Sequence, residues 1–220
     1  AEAIEKICDA SSKEIMANIP EVHYSPEFLR SLGMIPVSYL KYYYLQPQML
    51  EECLADSKSK GVRGEVVKSV ESELFMLYQN TDLKEKPEQL ARRGGARYSD
   101  AACSLIDSIY NNKKDIQVVN VMNSGCNLDL PENAVIERNC VIDSNGAHPI
   151  QIGHTPLKIR GLLQNVKAYE QLTIQAAIYG DRDAALQALT IHPLVNSAET
   201  ARLMLNDILR ENQAFLPNFA

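Results

Sequence analysis

The chain has 220 residues, of which 45% are hydrophobic and 23% are charged, and its formal net charge is −6. These are ordinary values for a globular protein, and no apolar run approaches the length of a membrane span. Because the balance of charge is acidic, the composition argues against a nucleic-acid partner. We expect a cytoplasmic protein that does not bind membranes.

The cysteines are odd in number, widely spaced and free of any C-x-x-C pair. They are Cys8, Cys53, Cys103, Cys126 and Cys140. This pattern favours neither a disulfide framework nor a zinc site. The sequence therefore predicts reduced thiols.

Apolar periodicity predicts two helices in the first half of the chain. The first carries an apolar stripe of Val66, Val67, Val70, Leu74, Leu77 and Tyr78. The second carries an apolar face of Ala101, Ala102, Leu105, Ile106 and Ile109. Ser99 or Asp100 is the predicted N-cap of the second helix.

The second half predicts a small sheet followed by helices. Residues 116–123 and 134–142 are short, rich in Val and Ile, and separated by a Gly/Asn/Asp/Pro loop, which favours an antiparallel pair of strands. A long amphipathic helix over 162–177 ends at Gly180, and Asp181 begins another helix.

A last helix is predicted to begin with a capping box formed by Asn196 and Glu199. Its apolar face is Ala201, Met204, Leu205, Ile208 and Leu209. Together these elements predict one helix-rich α+β domain over residues 1–220 with a small antiparallel sheet.

The arginine–tyrosine motif, residues 92–98, is the most informative stretch of the chain. It places Tyr98 beside Arg92, Arg93 and Arg97 at the start of a predicted helix. The helix dipole and the guanidinium groups would both favour a phenolate, and a tyrosine with a lowered pKa can act as a base. The alternative is a packing tyrosine beside solvated arginines.

Four further segments carry a resemblance to a known family. They are residues 32–44, 145–149, 169–173 and 187–195. In their order and spacing around the arginine–tyrosine motif, the chain resembles the C-terminal part of the 6-phospho-β-glucosidases of glycoside hydrolase family 4. The aromatic run Tyr42, Tyr43 and Tyr44 is similar to the β branch of that family.

The resemblance implies a fold like the C-terminal domains of lactate and malate dehydrogenases. It also implies a redox-assisted elimination that uses NAD and a divalent metal, with manganese expected. NAD oxidises C3 of a phosphorylated disaccharide or aryl-glucoside such as cellobiose 6-phosphate, and a base then removes the C2 proton. The C1 leaving group departs, water adds, and the hydride returns to C3.

Site roles follow from that resemblance. It implies that Tyr98 is the base and that Arg93, Arg92 and Arg97 contact the substrate, because guanidinium groups bind phosphate in bidentate fashion. Asn123, at the end of a predicted strand, is a candidate contact for a sugar hydroxyl, although asparagine there is equally a turn former. The family further implies a homodimer or homotetramer.

The nucleotide and metal sites of the family are expected upstream of this chain. No G-x-G-x-x-G motif is present, so we expect the N-terminal NAD-binding Rossmann domain to be absent and this chain alone to be inactive. The sequence Cys126-Asn127-Leu128-Asp129 is rejected as the metal site, because Asp129 replaces the proline of the family motif. The histidines are interpreted as structural: His23, His148, His154 and His192.

Two other functions stay open. The chain is alternatively a non-catalytic oligomerisation or regulatory module whose arginines merely bind an anion. It is alternatively part of an NAD-dependent hydroxy-acid oxidoreductase, which would accumulate reduced cofactor.

Overall fold

The computed structural model describes residues 24–59, 61–94, 97–195 and 197–219. Cys8, His23, Gly95, Ala96 and Asn196 lie outside these described residues. By its internal contacts the chain divides into two units, Ala1–Ala102 and Cys103–Ala220. The single domain over residues 1–220 stays a prediction.

In the described part of the first unit the regular elements are helices joined by loops. Its helices are α1 (Pro26–Leu32), α2 (Lys41–Tyr44), α3 (Gln46–Ser59), α4 (Arg63–Tyr78), α5 (Glu88–Arg93) and the beginning of α6 (Tyr98–Tyr110). The Ser25 hydroxyl caps α1 by accepting a hydrogen bond from the amide of Phe28. Apolar side chains buried in this unit are Leu29, Leu32, Met49, Val70 and Leu74.

The apolar stripe predicted between residues 66 and 78 lies on α4, and its buried part is shorter than the sequence indicates. Val70 and Leu74 are buried at 1% and 3% exposure. Leu77 and Tyr78 are exposed at 37% and 49%, so the stripe ends one turn before the helix does.

The predicted N-cap of α6 at Ser99 or Asp100 is wrong. The helix begins at Tyr98, and the amide of Ala101 donates to the carbonyl oxygen of Arg97 at 3.1 Å. This bond makes Arg97 the residue before the first helical turn and places Ser99 and Asp100 inside that turn. Polar residues within the first turn resemble N-caps in sequence, and the backbone hydrogen bond shows at which residue the helix begins.

The second unit contains an antiparallel sheet in the order β1-β2-β3, with strands β1 (Asp115–Met122), β2 (Val135–Asp143) and β3 (Gly146–Pro149). Ile116 pairs with Val141 and Met122 with Val135, which confirms the predicted antiparallel pair. Strand β3 was not predicted, because its four residues are too short to show a period-two pattern. The predicted helix-rich α+β class is confirmed.

Three helices follow the sheet: α7 (Leu157–Tyr179), α8 (Arg182–Ile191) and α9 (Ala198–Glu211). Gly180 ends α7 in the left-handed region with φ 66°, and the Asp181 carboxylate caps α8 by accepting from the amide of Ala184 at 2.9 Å. Both predictions are confirmed.

The predicted capping box of α9 is wrong in its first residue. The N-cap is Ser197, whose hydroxyl accepts from the amide of Thr200 at 3.1 Å. Glu199 instead binds the guanidinium of Arg202. The serine, one residue after Asn196, supplies the same acceptor chemistry at the position where the backbone enters the helix.

The imidazole of His192 links the end of α8 to α7. Its ring centroid lies 4.5 Å from that of Tyr169, and its Nδ1 accepts from the amide of Leu194 at 3.2 Å. Burial lowers the pKa of His192 below its ordinary value of 6.5. The folded state therefore favours the neutral ring.

This pKa shift predicts a loss of stability in mild acid. The contribution of His192 is complete above the unfolded pKa of about 6.5 and is lost as pH falls from there through the lower folded value, because the unfolded chain binds the proton more readily. Urea unfolding at a series of pH values measures how the free energy of unfolding depends on pH. In His192→Gln, whose side chain does not titrate, the free energy of unfolding should fall less steeply as pH is lowered. An unchanged pH dependence in this variant would remove His192 from this role.

Candidate functional site

Arg63 anchors the end of α5, where the arginine–tyrosine motif begins. Its Nη2 donates to the carbonyl oxygens of Arg92 and Arg93, each at 3.0 Å. The last carbonyls of a helix lack partners within the helix, so this guanidinium serves as a C-terminal cap. It fixes the C-terminal end of α5.

Arg92 and Arg93 are held by glutamates of α4. Nε and Nη2 of Arg93 both lie 2.7 Å from Oε1 of Glu71, and Nη1 of Arg92 lies 3.6 Å from Oε2 of Glu73. The four side chains are between 34% and 56% exposed, so an anion in solvent can reach both guanidinium groups. A phosphate would have to compete with Glu71 for Arg93.

Gly94 provides the turn after α5. Its backbone has φ 97° and ψ 155°, a conformation open essentially to glycine alone. Its amide still donates to the carbonyl oxygen of Leu90 at 3.1 Å, which closes the helix. The first glycine of the motif is thus required by the backbone whether or not a ligand approaches it.

Tyr98 is the first residue of α6, and its side chain is 79% exposed. The sequence predicted that Tyr98 lies at the start of a helix. The amides of the first helical turn have no partner within the helix, and the positive end of the helix dipole lies there. Next to it, Nζ of Lys86 donates to Oγ of Ser99 at 3.4 Å. The phenol is therefore accessible to a ligand at the N-terminal end of a helix, whose first turn also contains Asp100.

The observed contacts do not bring the arginines to the phenol. Among the described residues, none of the hydrogen bonds and ion pairs found joins Arg92 or Arg93 to Tyr98. The side chain of Arg97 is exposed. The base role of Tyr98 and the substrate contacts of Arg92, Arg93 and Arg97 stay predictions.

Asn123 belongs to the other unit and is completely buried at 0% exposure. Its Nδ2 donates to the carbonyl oxygens of Asn127, Leu130 and Pro131 at 2.9, 3.0 and 3.1 Å. Its Oδ1 accepts from the amide of Asn127 at 2.8 Å. The amide thus organises the loop between β1 and β2, and its contact with a sugar hydroxyl stays a prediction.

Asp129 ties the same loop to the start of α7. Its carboxylate accepts from Nδ1 of His154 at 2.9 Å and from the amide of Thr155 at 2.6 Å, and it forms an ion pair with Arg160, whose Nε lies 3.1 Å from Oδ2. The pKa of Asp129 is lowered, first by the hydrogen bond from His154 and then by the hydrogen bond from the Thr155 amide and the positive charge of Arg160. His154 therefore has a hydrogen-bond partner in this loop, and its structural role stays a prediction.

The sequence from Cys126 to Asp129, which was rejected as a metal site, lies within this loop. Cys126 is 1% exposed, and its Sγ lies 3.4 Å from Oδ1 of Asn123. Over the ranges that the structure describes, no cluster of three or more His, Cys, Asp or Glu side chains is arranged to hold a metal ion.

Sequence reasoning missed Arg63 and Lys41. Lys41 is only 2% exposed, and its Nζ lies 5.1 Å from the centroid of the Tyr42 ring. A lysine within a run of tyrosines was the one available signal, because such rings offer a cation an apolar, electron-rich surface. In the same segment Tyr39 is 58% exposed.

Two general properties accompany these sites. Of the helices described, none combines the length and the apolar character needed to cross a bilayer. The described cysteines, Cys53, Cys103, Cys126 and Cys140, are all free thiols.

Comparison with known proteins gives the family. A sequence profile of the family 4 glycosyl hydrolase C-terminal domain matches residues 1–195. A probable 6-phospho-beta-glucosidase of Bacillus subtilis is 44% identical over 218 residues, which are 99% of this chain and 49% of that protein. A 6-phospho-beta-glucosidase of Escherichia coli is 39% identical over 92% of this chain and 45% of its own length.

The fold agrees with these relatives. A 6-phospho-beta glucosidase structure from Thermotoga maritima, solved with manganese, NAD+ and glucose-6-phosphate, is similar with a TM-score of 0.80 and 30% identity. The similarity covers 98% of this chain and 49% of that one, so the chain spans about half the length of the proteins it matches. The chain belongs to the family 4 glycosyl hydrolases and corresponds to their C-terminal domain.

Proposed function

We propose that the complete protein hydrolyses 6-phospho-β-glucosides such as cellobiose 6-phosphate. The observation that carries this proposal is the 44% identity over 99% of the chain to a relative named for that activity. The second relative carries the same name at 39% identity, which supports the β branch of the family. The exposed tyrosine and the anion-accessible arginines of the first unit suit a phosphorylated sugar.

NAD and a divalent metal, with manganese expected, belong to the proposal for the complete protein. The similar structure from Thermotoga maritima contains both groups. The described residues of this chain offer no three-ligand metal cluster, so they do not themselves fit the metal. We propose that the NAD-binding Rossmann domain corresponds to the half of the relatives that this chain does not span.

The proposed task of this chain is to bind the sugar phosphate and remove a proton. Tyr98 takes the proton from C2 of the sugar, which allows the C1 substituent to leave. Arg93 binds the phosphate when the guanidinium of Arg93 leaves Glu71, and Arg92 and Arg97 contribute further contacts to the phosphate. Asn123 supports the second unit by holding the loop between β1 and β2.

The reaction type is tested by following both product and cofactor. The complete protein, supplied with a chromogenic 6-phospho-β-glucoside, NAD and manganese, should release the aglycone with no net accumulation of reduced cofactor. In heavy water the sugar product should carry deuterium at C2, because the abstracted proton exchanges with solvent. Net reduced cofactor would support the oxidoreductase alternative, and no turnover on any phosphorylated glucoside would support the non-catalytic module.

Arg93 offers a prediction about substrate affinity. Arg93→Gln should raise KM for the phosphorylated substrate by about tenfold or more, because a charge-assisted bond to phosphate is lost. Glu71→Gln is the matched control, since it disrupts the same ion pair but leaves Arg93 free for the phosphate. Steady-state kinetics that show the same rise in KM for both variants would assign Arg93 to helix packing.

The compartment and the assembly are also proposals. The free cysteines agree with a reducing compartment, and we propose the cytoplasm. One face of the sheet exposes Ile116, Val118, Met122 and Val135 at 57% to 62%. Exposed apolar surface of this kind agrees with a homodimer or homotetramer.

A further inference from the structure

The segment that follows α9 packs against the corner between α7 and α8. Residues 213–219, which we name the C-terminal strap, contain two short 3-10 turns, Gln213–Phe215 and Pro217–Phe219. The turns are closed by bonds from the amides of Phe215, Leu216 and Phe219 to carbonyl oxygens three residues before them. The strap lies beyond residue 195, where the match to the family domain ends.

Asn218 caps the end of α7. Its Nδ2 donates to the carbonyl oxygens of Ala177 and Ile178 at 3.0 and 3.1 Å. These carbonyls belong to the last turn of α7 and have no partner within the helix. A side chain of the strap therefore supplies bonds that water or a local cap would otherwise have to supply.

Gly180 permits the strap to approach this closely. A Cβ atom placed on Gly180 would overlap the backbone carbonyl of Asn218. Glycine at this position consequently serves two purposes, since φ is 66° and the strap backbone occupies the space of a side chain.

Arg182 holds the same end of the strap at Phe219, one residue after Asn218. Its Nη2 donates to the carbonyl oxygen of Phe219 at 2.9 Å. Beside this bond lies a cavity of 310 Å³, lined by Arg182, Asn206, Leu209, Arg210, Gln213, Leu216 and Phe219. The strap thus forms one wall of the cavity.

We propose that the C-terminal strap is a latch that opens and closes as one unit on the corner between α7 and α8. Closure caps α7 through Asn218, engages Arg182 and completes the wall of the cavity. Opening releases the last carbonyls of α7, frees the Arg182 guanidinium and exposes the cavity together. The few bonds that hold the strap place it among the segments that open locally before the fold does.

Hydrogen exchange of the complete protein, read by mass spectrometry, tests the latch. Gly180→Ala should accelerate exchange at the amides of Leu216 and Phe219 by about tenfold or more, because the new Cβ expels the strap. Gly125→Ala is the matched control, since Gly125 also has a positive φ of 78° but has no atom within 4 Å of the added Cβ. Asn218→Ala, which introduces no backbone strain, should accelerate exchange in both 177–181 and 213–219.

The two substitutions together decide the proposal. Joint acceleration of both segments in Asn218→Ala, with Gly180→Ala faster than Gly125→Ala within the strap, supports a latch that moves as one unit. Strap exchange in Gly180→Ala no faster than in Gly125→Ala would overturn it. Acceleration confined to 177–181 in Asn218→Ala would also overturn it, because Asn218 would then be only a local helix cap.

Discussion

Replacing Tyr98 by phenylalanine in the complete protein is expected to lower kcat by about 10²–10⁴-fold, the range for loss of a general base. The hydroxyl is the only group removed, and the 79% exposed side chain contributes little to packing. The fold and NAD binding should therefore stay nearly unchanged. Steady-state kinetics and thermal unfolding of the same preparation measure the two quantities.

Two other exposed tyrosines make this result specific. Tyr110 is 86% exposed at the opposite end of the same helix, so Tyr110→Phe should keep full activity. Tyr39→Phe tests whether Tyr39, which is 58% exposed in the first unit, is the base instead of Tyr98. Retention of most activity by Tyr98→Phe would remove Tyr98 from the base role, and loss of activity in Tyr39→Phe instead would transfer the role to Tyr39.

Asn123→Ala is expected to lower the free energy of unfolding by about 2–5 kcal/mol. The substitution removes the only side-chain donor that the buried Asn123 supplies to the carbonyl oxygens of Asn127, Leu130 and Pro131. The carbonyls of Asn127 and Pro131 keep a backbone donor in the amides of Leu130 and Ala134, but the amide of Asn127 loses its acceptor Oδ1. Asn120→Ala, at an exposed position of β1, should change stability by less than about 0.5 kcal/mol. Urea unfolding of both variants gives the comparison.

Steady-state kinetics of Asn123→Ala in the complete protein, measured beside its unfolding, separate two roles of Asn123. A stable Asn123→Ala protein with a raised KM would contradict the loop-organising role and support the sugar contact predicted from the sequence. A destabilised protein whose KM is unchanged would support the loop-organising role.

Local patterns predicted much of the fold. Two short segments rich in Val and Ile predicted strands within one residue of the observed β1 and β2, and Gly180 followed by Asp181 marked the corner between α7 and α8. The N-caps of α6 and α9 could not be chosen from sequence, because neighbouring polar residues offer equivalent acceptors. At those positions the backbone bonds of Arg97 and Ser197 decide the boundary.

The candidate site was predictable only where it is contiguous in sequence. The arginine–tyrosine motif identified the start of α6, but pairing of Arg93 with Glu71 and capping by Arg63 depend on how α4 packs against α5. Burial of Asn123 and Lys41 likewise depends on tertiary surroundings that periodicity does not encode.

The most direct test of the proposed function is the specificity of the complete protein for phosphate and for the β linkage. We would measure kcat/KM, with NAD and manganese, for a chromogenic 6-phospho-β-glucoside, its unphosphorylated counterpart and the 6-phospho-α-glucoside. The proposed function predicts efficient hydrolysis of the first and a large loss of kcat/KM for the other two. Equal or better hydrolysis of either of the other two, or hydrolysis of none, would contradict it.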